Sequence, residues 1–140
     1  MLSHSVPITS VTLTEPTSGN IQVIARRNIT LRCVTSGGLP AAIIRWNKDT
    51  GNPDITDATL LTGATSVITT VNGLQVTTST LVNTPTVHDD SMRIYCVANN
   101  TDDVFTSNQF VLDVQRRYYK LIDICTEKES LLNIVCTYKR

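Results

Sequence analysis

Apolar and polar residues alternate over short stretches of this chain. In Ile29-Thr30-Leu31-Arg32-Cys33, the residues Ile29, Leu31 and Cys33 fall on one side and Thr30 and Arg32 on the other. Ile43-Ile44-Arg45-Trp46, Arg93-Ile94-Tyr95-Cys96-Val97-Ala98 and the segment from Phe110 to Val114 have the same character. Turn signals separate such runs: Thr17-Ser18-Gly19-Asn20, Ser36-Gly37-Gly38, Thr50-Gly51-Asn52-Pro53 and Asn72-Gly73. This spacing predicts an all-β sandwich or barrel of antiparallel strands. In the stretch 67–82 alternation assigns no register. Val67 and Ile68 are adjacent, and Val76 and Leu81 have opposite parity. A β-bulge is one explanation.

Composition supports strands. Threonine fills 22 positions and valine 14, and both are β-branched. At 140 residues and 41% hydrophobic content the chain is long enough to bury a core. The formal net charge of zero argues against electrostatic binding to nucleic acid. No apolar run approaches the length of a membrane span. The start, MLSHSVPITSVTLTEP, lacks the basic and apolar regions of a signal peptide, so an extracellular reading implies that the chain is a fragment or an incomplete gene model. Residues 1–115 hold six Lys or Arg against nine Asp or Glu, and residues 116–140 hold six against three. The shift at Arg116-Arg117 places a boundary between a module over 6–115 and a tail over 116–140.

Cys33, Trp46 and Cys96 carry a resemblance. Trp46, the one tryptophan, follows Cys33 by 13 positions, and Cys96 follows Cys33 by 63. Cysteine, tryptophan and cysteine at these spacings resemble the immunoglobulin superfamily. The resemblance implies a Greek-key β-sandwich over 6–115, with one inter-sheet disulfide between Cys33 and Cys96 and Trp46 packed against it. Two separate buried thiols are the other reading of the cysteines. A disulfide implies an oxidising compartment. Most of the family carry Asp-x-Gly-x-Tyr-x-Cys before the second cysteine. Here Asp90 matches, but Met92 and Ile94 occupy the glycine and tyrosine positions, and Tyr95 is one residue off. Loss of that tyrosine, with the segment Ser36-Gly37-Gly38-Leu39-Pro40-Ala41-Ala42, is similar to C2-type domains of nectin-type and nephrin-type adhesion molecules.

The chemistry-bearing residues point to binding and not to catalysis. His4 and His88 are the only histidines, with no nucleophile motif beside them and no zinc spacing. Asp89-Asp90 and Asp102-Asp103 flank one strand, roughly 20 Å apart, too far for a shared calcium; solvated turns are the simpler account, with a local turn or ion-pair contact for Asp90. No metal and no cofactor is expected. Asn28-Ile29-Thr30 and Asn99-Asn100-Thr101 are sequons, so Asn28 and Asn99 are candidate glycan acceptors in a secreted protein. Alternation puts Ile43, Arg45, Arg93, Tyr95, Val97, Val111 and Asp113 on the outward face of the sheet that carries Trp46 and Cys96. Tyrosine, arginine and aliphatics are the mixture enriched at interface hot spots. An ordinary strand surface, or one covered by a neighbouring domain, is the bland account. In the tail, Cys125 and Cys136 can pair across a hairpin. Leu132-Asn133-Ile134-Val135-Cys136 also resembles the first cysteine strand of a truncated second domain, and non-native sequence is a third account.

These features and the resemblance imply an extracellular module of a cell-surface adhesion or recognition molecule. Its partner is another protein, such as a cell-surface immunoglobulin-superfamily molecule of the same or a different kind. No nucleic acid or small-molecule substrate is expected. A secreted immune-type recognition protein and an intracellular structural array are the alternatives.

Overall fold

The computed structural model describes residues 4–116 apart from Ser18 and Ile55; Cys125, Cys136 and the tail expectations beyond Arg116 lie outside the described residues. Among the described residues ten strands form two sheets. One holds β1 (Val11–Glu15), β3 (Ile29–Thr35), β7 (Leu74–Asn83) and β6 (Thr65–Val71), in the order β1-β3-β7-β6. The other runs β2 (Gly19–Ile24), β10 (Phe110–Gln115), β8 (Arg93–Asn99), β4 (Ile43–Asp49), β5 (Thr59–Leu61), with β9 (Phe105–Thr106) also paired to β8.

All pairs are antiparallel except β2 with β10, which is parallel. The sandwich is therefore mixed where alternation predicted antiparallel pairing throughout. The cause is local. Pro16 has no N–H to donate to a ladder, so the first run breaks there. Its two halves join opposite sheets.

The core lies between the sheets. Cys33 and Cys96 are fully buried and joined by a disulfide that links the two sheets. The bond closes a separation of 63 residues, which stabilises the fold by roughly 4 kcal/mol in the chain-entropy model. Leu31, Trp46, Leu81, Ile94, Phe110 and Leu112 pack around it. The indole N–H of Trp46 donates to Ser79 Oγ at 2.9 Å, so the buried donor is satisfied. Thr77 Oγ1 donates to the carbonyl of Ala42 at 2.8 Å.

Those two bonds explain the stretch without alternation. The inward face of β7 is Thr77, Ser79 and Leu81, two polar residues out of three. Strand β6 is exposed at all seven positions, so burial imposes no pattern on it. Their ladder is regular from Thr65↔Thr80 to Val71↔Leu74, with no bulge. Asn72 and Gly73, with φ of 52° and 80°, form the two-residue turn, a conformation glycine and asparagine adopt readily.

The corner before β8 departs from expectation too. Ile94 sits fully buried where the family's tyrosine would be. Asp90 makes the local turn contact that was one of its two expectations, its N–H bonding the Val87 carbonyl, and no ion pair among the described residues; its carboxylate accepts from the Val114 N–H at 2.8 Å and ties the corner to β10. The ion pair belongs to Asp89, buried and not a solvated turn residue, which meets Lys48 Nζ at 2.6 Å. Asp89 also caps the short 3-10 turn Val87–Asp89 through the Thr86 N–H. Burial pushes its carboxyl up, but the bonds from Lys48 and Thr86 outweigh this and hold it below the usual aspartate value.

Candidate binding face

Register brings the outward residues of five strands into rows. Between β4 and β8, Ile43 lies across from Asn99, Arg45 from Val97, Asn47 from Tyr95 and Asp49 from Arg93. Thr106 extends the Val97 row, Leu60 extends the Asn47 row, and Val111 extends the Arg93 row. All seven outward residues named from alternation thus lie on one sheet. Ile43 is 60% exposed and Leu60 55%. Arg45 is exposed, while Arg93, Tyr95, Val97, Val111 and Asp113 are half-buried.

Arg93 and Tyr95 are not free. Both are anchored on Asp49, which is buried on this outward face because they cover it. The guanidinium pairs with the carboxylate in a bidentate way, Nε to Oδ1 and Nη2 to Oδ2. Tyr95 Oη donates to Oδ2 at 2.9 Å, and the Gly51 N–H donates to Oδ1 at 2.9 Å. Arg93 Nη1 reaches Gln109 Oε1 at 2.8 Å, and its guanidinium lies 5.4 Å from the Tyr95 ring centroid. The hydrogen bond from Arg93 outweighs burial and holds the Asp49 carboxyl below its usual value. Burial, and then the bond to Asp49, push the Tyr95 hydroxyl up. An open depression of about 240 Å³ lies beside the cluster, lined by Arg93, Tyr95, Thr106 and Gln109.

Asp49 is the residue that alternation missed. Its strand is read as ending at Trp46, yet three further steps of two from Ile43 reach it. With Trp46 across from Cys96, position 49 must fall across from 93. The arrangement has no acid, base and nucleophile in line. Its outcome is a tyrosine and an arginine held still beside exposed aliphatic side chains.

The sequons lie apart. Asn28 is exposed just before β3, and its Oδ1 accepts from Thr84 Oγ1 at 2.6 Å. Asn99 is half-buried at the end of β8, on the candidate face, across from Ile43. Its neighbour Asn100 is structural: its side chain bonds the Ile8 N–H and the carbonyls of Val6 and Pro40 at 2.8 to 3.0 Å. No helix among the described residues is long and apolar enough to cross a membrane.

A model of the CD80-like C2-set immunoglobulin domain matches residues 10–106. No curated protein sequence matches the chain significantly. Among solved structures, Rst D1-D2 is 24% identical, with a TM-score of 0.65, over 79% of this chain and 51% of that one. The full ectodomain of mouse nectin-like molecule 4 (Ig1-Ig3) is 23% identical, with a TM-score of 0.55, over 80% of this chain and 35% of that one. A structure of Dpr2 Ig1-Ig2 in complex with DIP-Theta Ig1-Ig3 is 15% identical, with a TM-score of 0.50, over 79% and 33%. The chain thus spans about half or less of the structures it resembles. At these identities the likeness is one of fold.

Proposed function

Since the chain belongs to the CD80-like C2-set immunoglobulin domain family, we propose that it is an extracellular protein-binding module of an adhesion or recognition molecule, not an enzyme, and that it binds another immunoglobulin-type protein through the outward face of β10, β8, β4 and β5. The observation that carries this reading is the Asp49 anchor. It holds Tyr95 and Arg93 in one geometry next to Ile43, Leu60 and Val97, so a partner meets an aromatic and a cationic group whose rotamer entropy is already spent, beside exposed aliphatic side chains. One matched structure is described as a full ectodomain (Ig1-Ig3), and another as a complex of Dpr2 Ig1-Ig2 with DIP-Theta Ig1-Ig3. An extracellular setting follows on the same reading, with Asn28 and Asn99 as glycan acceptors and 6–115 as the module.

The test uses an array of secreted immunoglobulin-superfamily ectodomains that includes this chain itself. Both substitutions Ile43→Asp and Leu60→Asp fall on exposed side chains and leave the Asp49 anchor untouched. The expected result is at least one partner for the wild type and loss of that partner in the double variant, with an unchanged melting temperature. A partner bound equally by both proteins refutes this face.

A further inference from the structure

Among the described residues, strand β6 is the outer edge of its sheet, paired to β7 on one side only. Its sequence, Thr65-Ser66-Val67-Ile68-Thr69-Thr70-Val71, has no charge and no proline. All seven residues are exposed, which means both faces of the strand, with Val67 at 61%, Ile68 at 52% and Val71 at 51%. Sheet edges are ordinarily protected against pairing by charge, proline, bulges or shortness. The other edges here have such features. β1 carries a register irregularity next to Glu15, β5 is three residues long, and β2 lies between Pro16 and the Arg26-Arg27 pair. β6 has none, either within it or in the flanking Thr62-Gly63-Ala64 and Asn72-Gly73.

The hydrogen-bonding pattern says what fits there. Val71 and Leu74 flank a two-residue turn, so they exchange the bonds that close it. By alternation Thr69, Val67 and Thr65 direct their main-chain groups to β7, and Ser66, Ile68 and Thr70 direct theirs outward. An antiparallel partner centred on Ile68 would match that set with itself: Ile68 against Ile68, Ser66 against Thr70, and Thr70 against Ser66, giving about six main-chain bonds. Val67 would then face Thr69, and Thr65 would face Val71, all β-branched cross-strand pairs. No like charges meet, because the strand has none. Exposure on both faces leaves room for a second sandwich.

We infer that β6 is a self-complementary edge through which two copies of this chain pair in an antiparallel, two-fold manner. This contact is separate from the candidate binding face, which lies on the other sheet. One added strand pairing buries less than a standard interface, so the association is weak and gains force where copies are held at high local concentration.

Sedimentation of the full 140-residue chain from about 10 µM to about 1 mM tests this. The expected result is a concentration-dependent shift from monomer to dimer, with slowed amide exchange at Ser66, Ile68 and Thr70. Ile68→Lys places a charge on the two-fold axis and should keep the chain monomeric throughout. Ile68→Pro removes an N–H that faces away from β7, so it should abolish the dimer while the hairpin keeps its own ladder; an unchanged melting temperature shows that either variant is folded. A wild type that stays monomeric over the whole range overturns the inference. So does a dimer that survives both substitutions, or one whose exchange protection falls on other strands.

Discussion

Removing the Asp49 carboxylate is the sharpest perturbation available on the candidate face. In Asp49→Ala three donors lose their acceptor at once: the Arg93 guanidinium, the Tyr95 hydroxyl and the Gly51 N–H. The guanidinium is about one-third exposed, so water recovers much of its loss, and that pair is worth about 1 kcal/mol. The hydroxyl and the amide add roughly 0.5–1 kcal/mol each. Asp49→Ala should therefore cost about 2–3 kcal/mol, a fall of about 8–12 °C in melting temperature for a module of this size. Tyr95→Phe alone should cost about 1 kcal/mol. The two share a bond, so the double variant should lose about 1 kcal/mol less than the sum. Urea unfolding followed by the fluorescence of Trp46, buried against Ser79, measures all three proteins. A cost below about 0.5 kcal/mol for Asp49→Ala, or strict additivity with Tyr95→Phe, would refute the claim that Asp49 anchors the face.

Three other predictions follow from particular contacts. Asp49 and Asp89 have native carboxyls held below the usual aspartate value, so their stabilisation is complete above that value, near pH 4, and is lost as pH falls through the lower native ones; the melting temperature should drop steeply below about pH 4, and Asp89→Asn should lower it at neutral pH while flattening the acid limb. Ser79→Ala leaves the buried Trp46 N–H without its acceptor and should cost about 1–2 kcal/mol by urea titration. Gly38 has no space for a side chain, since a Cβ there would lie 2.9 Å from the Val6 carbonyl oxygen and 2.6 Å from Asn100 Nδ2; Gly38→Ala should cost about 1–3 kcal/mol, seen as a lower urea midpoint with an unchanged slope.

What the sequence revealed tracks where burial acts on one side of a strand. β3 and β8 each turn one face to the core, so Ile29, Leu31 and Cys33, and then Ile94, Cys96 and Ala98, stand out by parity, while the pairing of the two cysteines and the packing of Trp46 came from the resemblance that their spacing carries. β6 overhangs the core and β7 turns Thr77 and Ser79 inward, so the same signal vanishes there although the ladder is regular. The parallel β2–β10 pairing was hidden for another reason. It depends on the chain crossing between sheets at Pro16, and parity along a single strand carries no information about which sheet that strand joins. Asp49 was hidden because a buried carboxylate on an outward face resembles a loop residue until its partners across the sheet are known.

The Asn99 row now bears on how the candidate face can be used. Asn99 and Ile43 are cross-strand neighbours on that face, so their Cβ atoms stand about 5 Å apart. A glycan on Asn99 would occupy the space above Ile43, and a partner seated on Ile43 would exclude the glycan. Full use of both is therefore incompatible at one end of the sheet. The rows of Tyr95 with Leu60 and of Arg93 with Asp49 lie two and three pairs further along β8, about 14–20 Å away, where one or two sugars need not reach. The rigid anchor thus sits at the end of the face that glycosylation leaves open. The exposed aliphatic Ile43 sits at the end that it would cover. Partner binding centred on Tyr95 is compatible with either state of Asn99, whereas binding centred on Ile43 requires that Asn99 be bare, which ties the footprint of any partner to the glycan state of a single side chain.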